Sequence, residues 1–166
     1  ETPEWQVEKA GFVQPLIEDV DRDGFPDIVL LQLQFGTRFV LNYLTSSKAT
    51  FGCDVFLNKN GTFASKPDLS SSLLFKTPDT CEEGIFVLGD FDGDKRLDCA
   101  FGGSDGKIVV HTGQKGRFVS ATPWLTVESA GVGSAVARDL DGNGRDDLVI
   151  FRKADAGHPA CEIVLF

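Results

Sequence analysis

Hydrophobic positions along the chain fall in short stretches that alternate with clusters of glycine, proline and acidic residues. Apolar stretches precede three such clusters, at 12–17, 85–88 and 132–137, and others follow them directly, at 28–31, 99–101 and 148–151. Short apolar runs between turn residues predict β-strands joined by tight turns. The 18 glycines and 7 prolines argue against a helix bundle, because both residues interrupt helices.

The cluster between each pair of predicted strands follows the same pattern three times. Loop 1 is Asp19-Val-Asp-Arg-Asp-Gly-Phe-Pro-Asp27, loop 2 is Asp90-Phe-Asp-Gly-Asp-Lys-Arg-Leu-Asp98, and loop 3 is Asp139-Leu-Asp-Gly-Asn-Gly-Arg-Asp-Asp147. We number the positions of each loop from 1 to 9. A carboxylate or amide oxygen stands at positions 1, 3, 5 and 9 of every loop. This self-similarity predicts a repeat protein whose unit contains strand, loop and strand.

The repeat continues after the second strand. Residues 54–63 align with 108–118, and both predict a third strand, a glycine turn and an aromatic residue that opens a fourth strand; residues 162–166 correspond to the third strand of the last repeat. Four short strands per repeat are typical of a β-propeller blade. We therefore predict an all-β partial propeller with blade 1 at about 9–75, blade 2 at about 81–127 and blade 3 at about 130–166, and with 4–8 as a candidate strand of another blade.

With these motifs the chain resembles the FG-GAP/VCBS repeat family of integrin α-like and secreted bacterial propellers. The resemblance is carried by the three loops, by Phe101-Gly-Gly103 and by Leu57-Asn-Lys-Asn-Gly-Thr-Phe63. It implies a calcium-binding propeller that is secreted and extracellular, or periplasmic or on the cell surface. Lys95 stands where the family prefers glycine, and Asn143 replaces an aspartate. Position 6 of such a loop commonly needs a positive φ, so Lys95 costs about 1 kcal/mol there.

The loop chemistry predicts three Ca²⁺ sites. Calcium takes roughly six to eight oxygen ligands, which are carboxylates, amides and backbone carbonyls. An EF-hand is excluded, because it needs a glutamate at position 12, where this chain has Leu30, Phe101 and Ile150. The ordinary alternative is a set of aspartate- and glycine-rich turns without metal. The predicted ligands, with the residue at position 7 contributing its carbonyl, are Asp19, Asp21, Asp23, Phe25 and Asp27; Asp90, Asp92, Asp94, Arg96 and Asp98; and Asp139, Asp141, Asn143, Arg145 and Asp147.

The charge distribution restricts the partners. The chain has 16 Lys and Arg against 25 Asp and Glu, a formal charge of −9, so nucleic acid is not an expected partner. No apolar run approaches the roughly 18 residues of a membrane span, so membrane insertion is not expected either. A closed propeller has about four blades or more. We therefore expect other blades of the same precursor, or further copies of the chain, as partners, together with a protein or glycan ligand.

No catalytic motif is apparent. His111 and His158 lie outside any metal or nucleophile motif, and the segment at 131–134 fits neither a nucleophile elbow nor a dinucleotide loop. We predict a non-catalytic module for recognition, adhesion or assembly. Two alternatives stay open, an accessory propeller portion of a secreted enzyme and an architectural subunit of an extracellular filament.

Cysteines and exposed aromatic residues are the remaining candidates. Four cysteines suggest two disulfides in an oxidising compartment, with Cys53–Cys81 as the favoured pair and a buried thiol as the alternative for Cys99. The candidates for ligand contact are the insertion at 32–51 and three aromatic residues for which core packing is the favoured interpretation, Trp5, Tyr43 and Trp124.

Overall fold

A computed structural model describes residues 5–8, 13–33, 48–76, 85–103, 106–129, 133–151 and 161–166. These residues form β-strands and no helix, so the all-β prediction is confirmed. In this part of the chain there is also no helix long and apolar enough to cross a membrane. The strands are β1 (Val13–Glu18), β2 (Asp27–Leu33), β3 (Lys48–Phe56), β4 (Leu69–Lys76), β5 (Ile85–Gly89), β6 (Asp98–Gly103), β7 (Lys107–His111), β8 (Gly113–Gln114), β9 (Arg117–Val119), β10 (Leu125–Glu128), β11 (Ser134–Arg138), β12 (Asp147–Phe151) and β13 (Cys161–Val164).

Three sheets repeat the same order of strands. From the first strand onward, sheet 1 has the order β1-β2-β3-β4, sheet 2 has β5-β6-β7-β10, and sheet 3 has β11-β12-β13. In each of these three sheets the first two strands are antiparallel and one acidic loop joins them. The last residue of the first strand always pairs with position 9 of the loop, as Glu18 with Asp27, Gly89 with Asp98 and Arg138 with Asp147. This arrangement is consistent with propeller blades.

The sheets belong to two compact units. Unit 1 comprises Glu1–Phe75 with Lys115–Phe118, and unit 2 comprises Lys76–Gln114 with Val119–Phe166. Unit 1 contains sheet 1, in which Val29, Val55 and Phe56 are fully buried. Unit 2 contains sheets 2 and 3, whose common core consists of Ile85, Phe91, Ala100, Ile108, Val110, Leu148 and Ile150. Because each large apolar side chain stabilises the fold by roughly 1.5–3 kcal/mol when buried, this cluster is a main source of unit 2 stability.

The start of the chain differs from the prediction. Residues 5–8, the described part of the candidate strand at 4–8, form no strand. Trp5 instead packs on Phe56 and Phe63, with ring centroids 5.2 Å and 5.4 Å away, and its Nε1 donates a hydrogen bond to the Ala64 carbonyl at 3.0 Å. Phe63 therefore belongs to this aromatic cluster within unit 1 and does not open the fourth strand, which begins at Leu69.

The predicted disulfide is not shown. Cys53 is a buried free thiol on β3, and burial raises its pKa to about 12. Its expected partner Cys81 lies outside the described residues, as do Tyr43, His158 and most of the insertion at 32–51. Cys99 is fully buried on β6, which agrees with the alternative interpretation of a buried thiol.

Candidate metal centre

The carboxylate at position 1 organises each loop by accepting hydrogen bonds from backbone N–H groups. In loop 2, Asp90 accepts from Gly93 on Oδ1 and from Lys95 on Oδ2, both at 2.9 Å. Loop 3 repeats these contacts, since Asp139 accepts from Gly142 at 2.7 Å and from Gly144 at 3.0 Å. In loop 1 Asp19 also accepts two bonds, but the donors are position 5, Asp23, at 3.1 Å and position 6, Gly24, at 3.0 Å. The chain therefore wraps around the first carboxylate in all three loops.

The side-chain oxygen at position 3, and likewise that at position 5, accepts a hydrogen bond from the backbone N–H two residues further on. Asp92 Oδ1 accepts from the Asp94 N–H at 3.0 Å, and Asp94 Oδ1 accepts from the Arg96 N–H at 2.8 Å. Such Asx turns hold alternate side chains on the inner side of a tight loop. Loops 1 and 3 have the same bonds, from Asp23 to Asp21 at 3.3 Å, Phe25 to Asp23 at 2.8 Å, Asn143 to Asp141 at 3.0 Å and Arg145 to Asn143 at 2.7 Å.

The aspartate at position 9 joins the loop to the end of the third strand. Asp98 is fully buried, and it accepts from Phe91 N–H on Oδ2 at 2.8 Å and from Gly113 N–H on Oδ1 at 2.7 Å. The equivalent donors are Val20 and Asn58 for Asp27, both at 2.8 Å, and Leu140 and Phe166 for Asp147, at 2.9 Å and 3.0 Å. Position 9 is therefore a structural residue as well as a candidate ligand.

Two positions in each loop have a positive φ. Lys95 has φ 68° at position 6, where the prediction placed it, and Gly24 and Gly144 have φ 92° and 85° at the same position. Position 4 was not predicted to have a positive φ, yet Arg22, Gly93 and Gly142 have φ 60°, 80° and 79°. In loops 2 and 3 these two left-handed residues are also the ones whose N–H groups donate to the carboxylate at position 1.

Each loop brings three carboxylates together. One oxygen from each member of a group lies within 4.8 Å of the others, and the groups are Asp19, Asp21 and Asp27; Asp90, Asp92 and Asp94; and Asp139, Asp141 and Asp147. Positions 1 and 3 belong to all three groups. Asp23 and Asp98, also predicted ligands, are outside the groups of their own loops. The remaining predicted ligands of the three loops are the side-chain amide of Asn143 and the backbone carbonyls of Phe25, Arg96 and Arg145.

The electrostatic environment disfavours several of these negative charges. Burial, followed by the charges of Asp23 and Asp27, raises the pKa of Asp21. Burial, together with the charges of Asp94 and Asp90, raises the pKa of Asp92, and burial raises that of Asp98 to about 6. A divalent cation among the oxygens would favour the charged forms.

One acidic residue of loop 3 has a role that the sequence analysis did not find. Asp146, at position 8, accepts from the Asp90 N–H at 2.8 Å, and its own N–H donates to the Asp90 carbonyl at 2.7 Å. These two bonds join loops 2 and 3 within unit 2. A comparison of the three loops could not reveal this role, because the equivalent residues are Pro26 in loop 1 and Leu97 in loop 2. The only signal in the sequence was that loop 3 alone has an acidic residue at position 8.

The other candidates divide between core and surface. His111 is buried, with Nδ1 2.8 Å from the Ser120 carbonyl and its ring stacked on Phe101, and burial lowers its pKa. Trp124 is 44% exposed, so it stays available for ligand contact, whereas Trp5 is half-buried in the aromatic cluster of unit 1.

Comparison with known families agrees with the repeat. Residues 90–150, which include loops 2 and 3, match the sequence model of the FG-GAP-like repeat. The resemblance to the FG-GAP/VCBS repeat family is therefore confirmed for this segment. No curated protein matches the chain.

Proposed function

We propose that this chain is a calcium-stabilised β-propeller module that recognises or adheres to a partner outside the cytosol and has no catalytic activity. The observation that carries the proposal is the threefold grouping of carboxylates within 4.8 Å, on three loops in which the carboxylate at position 1 accepts two backbone hydrogen bonds. The match of residues 90–150 to the FG-GAP-like repeat supports it.

Calcium fits the donor set better than the other common metals. Carboxylate, amide and carbonyl oxygens are the donors that hard cations prefer, and none of the three groups contains cysteine or histidine. Magnesium is less suitable, because it needs near-ideal octahedral geometry and keeps several waters. The residues that would hold the three ions are the fifteen named in the sequence analysis.

The role of the ions is to stabilise the loops. A ligand that is present at about tenfold above its dissociation constant adds roughly 1.4 kcal/mol to the folded state for each site. Extracellular calcium modules commonly bind in the range of about 10⁻⁴–10⁻³ M, which is compatible with calcium outside the cytosol. Burial, and after it the neighbouring carboxylates, raises the pKa values of Asp21 and Asp92, and bound ions would favour the charged forms of both residues.

Isothermal titration of the chelator-treated protein tests the calcium sites. We expect three equivalents of Ca²⁺, much weaker binding of Mg²⁺, and one equivalent fewer in each of the variants Asp21→Asn, Asp92→Asn and Asp141→Asn. Glu128→Gln is the matched control, because Glu128 is an exposed carboxylate outside the loops. No heat of binding, or the same stoichiometry in all variants, would refute the calcium proposal.

A glycan and protein array tests recognition. Trp124 is 44% exposed, with its ring stacked on Phe166 at a centroid distance of 6.5 Å, and it is the exposed tryptophan among the described residues; an indole presents a flat surface with a polar N–H, which suits a sugar or a protein loop. We expect specific ligands to be retained in calcium and to be lost from Trp124→Ala. Ligands that bind the variant equally well would exclude this surface.

A further inference from the structure

Asp146, at position 8 of loop 3, holds both backbone groups of Asp90, the first residue of loop 2. Its Oδ2 accepts a hydrogen bond from the Asp90 N–H at 2.8 Å, and its own N–H donates to the Asp90 carbonyl at 2.7 Å. Asp90 is buried, so its backbone groups need partners inside the protein. Loop 3 supplies both of these partners.

The packing of sheet 3 on sheet 2 fixes this contact. A Cβ atom on Gly89 would lie 2.7 Å from the Cβ of Ala137 and 3.2 Å from the Cβ of Asp146, so a glycine at residue 89 permits the close approach. Behind this contact the two sheets share one buried core, which includes Ile108 of sheet 2 and Leu148 of sheet 3. The two loops are therefore held side by side by the interior of unit 2.

The residues on either side of Asp146 belong to the predicted calcium site of loop 3. The carboxylate of Asp147 is a member of the oxygen group of this loop, and Arg145 is the residue whose carbonyl is a predicted ligand. The Arg145 N–H also donates to Asn143 Oδ1 at 2.7 Å. Ligation by Arg145 and Asp147 would therefore fix the backbone immediately before and after Asp146.

Asp90 is the residue around which loop 2 is built. Its carboxylate accepts hydrogen bonds from the N–H groups of Gly93 and Lys95, both at 2.9 Å, and it is a member of the oxygen group of loop 2. A shift of the Asp90 backbone would displace this carboxylate. Asp146 therefore has its chain neighbours in one predicted site and its hydrogen bonds on the first ligand of the other.

A second contact links the same two loops, and loop 1 lacks the residue that makes the first. A Cβ atom on Gly93 of loop 2 would lie 3.3 Å from Cγ of Arg145 in loop 3. In loop 1 the residue at position 8 is Pro26, which has neither an N–H to donate nor a carboxylate to accept. The double hydrogen bond is thus a feature of loop 3 that the repeated pattern does not include.

We propose that Asp146 couples the calcium sites of loops 2 and 3, so that each site binds calcium more tightly when the other is filled. The proposal rests on the calcium sites of the proposed function, whose carboxylate, amide and carbonyl donors fit the ion. Ordering the backbone of residues 145–147 costs conformational entropy. Because both sites need this segment in place, the cost falls mainly on the first binding event. By linkage, each site changes the affinity of the other by the same factor.

Calcium titration of variants that keep two sites or one measures this factor. Asp21→Asn removes the site of loop 1, and a further Asp141→Asn or Asp92→Asn leaves loop 2 or loop 3 alone. The affinities of the two single sites, compared with the overall affinity of the two-site protein, give the coupling factor. We expect a factor of at least about five. The salt concentration is about 0.15 M, where repulsion between charges is screened beyond about 8 Å.

Three substitutions of Asp146 in these proteins assign the coupling to its hydrogen bonds. Asp146→Pro introduces the residue of loop 1 and removes both bonds, so the coupling should disappear while both sites still bind. Asp146→Ala removes only the side-chain acceptor and should reduce the coupling. Asp146→Asn is the matched control, because it keeps an oxygen for the Asp90 N–H but removes the charge, and the coupling should remain.

Hydrogen exchange of the Asp90 N–H follows the contact without calcium in loop 2. In the Asp21→Asn, Asp92→Asn protein, where loop 3 alone keeps its site, calcium should slow this exchange, because the acceptor of the N–H is Asp146. The effect of calcium should be lost when Asp146→Ala is added.

Each other result would overturn the proposal. Independent binding by the two sites excludes the coupling, and a coupling factor that is undiminished in Asp146→Ala excludes Asp146 as its origin. Loss of coupling in Asp146→Asn would assign the effect to the charge and not to the hydrogen bonds. A protein that binds no calcium refutes the calcium sites and with them this inference, whereas uncoupled binding of two equivalents refutes the inference alone.

Discussion

Loops 2 and 3 have the same residue at five of nine positions and equivalent backbone hydrogen bonds to position 1, yet they lie in different environments. Loop 2 is packed against its neighbour: Phe91 is fully buried, and a Cβ on Gly93 would meet Arg145. Loop 3 is exposed at Leu140 and open around Gly142. The difference shows that a repeated motif specifies a local geometry, whereas the contribution of each of its residues to the free energy of unfolding depends on what covers the loop.

The largest effect that tests this comparison is loss of the side chain at position 9. Asp98→Ala leaves the buried N–H groups of Phe91 and Gly113 without an acceptor, which costs roughly 1–3 kcal/mol for each. Asp147→Ala should cost about half as much, because water can reach the N–H of the exposed Leu140. Urea unfolding in chelator measures both. Equal losses would contradict the role of the covering sheet.

The pH dependence of the metal-free protein is the next effect. Burial raises the pKa of Asp98 to about 6, from 3.8 in the unfolded chain. The proton on Asp98 therefore favours the folded state fully below pH 3.8, and this contribution disappears as the pH rises through about 6. At about 1.36 kcal/mol for each pKa unit, the loss is up to about 3 kcal/mol.

Urea midpoints in chelator at pH 5, 6 and 7 measure this loss. Asp98→Asn should have a flatter profile than the wild type, because the titrating group is absent. Thr126→Ala, at an exposed strand position without a titratable group, is the control and should keep the wild-type profile. A wild-type profile that rises with pH over this range would contradict the assignment to Asp98.

The effect of calcium on thermal stability tests the carboxylate at position 3 of loops 2 and 3. Asp92→Asn keeps an oxygen for the Asp94 N–H and removes a charge that burial and its acidic neighbours disfavour. We expect the variant to melt at a higher temperature than the wild type in chelator and to lose one site's share of the calcium stabilisation, about 1.4 kcal/mol at tenfold excess over the dissociation constant. Asp141→Asn should lose the same share. Thermal melts with and without calcium measure both effects. If calcium raised the melting temperature of both variants as much as that of the wild type, the proposed sites in loops 2 and 3 would be refuted.

The smallest effect concerns the backbone of position 6. Lys95 has φ 68° in loop 2, where Gly144 has φ 85° in loop 3. Lys95→Gly should stabilise the protein by about 0.5–1 kcal/mol, because glycine tolerates this conformation without steric cost, and Gly144→Lys should destabilise it by about 1 kcal/mol. Chemical denaturation in calcium measures the pair. A destabilised Lys95→Gly would show that the lysine side chain contributes more than the strain costs.

The sequence predicted features that depend on neighbouring residues. The strand pairs around loops 1–3 and the positive φ at position 6 follow from interactions across a few residues, so they repeat wherever the pattern repeats. The fourth strands were predicted less well. Phe63 was expected to open one, but it packs on Trp5, which lies far away in the sequence.

By itself, therefore, the sequence determined the strand–loop–strand repeat and the set of oxygens in each loop, because alternation and turn geometry are local properties. Only the tertiary structure decided that position 9 holds the end of the third strand, that Asp146 joins loop 3 to Asp90, and that sheet 3 packs on sheet 2. These features arise from contacts between residues distant in the chain, and local patterns do not specify which of several similar faces a neighbouring sheet will cover.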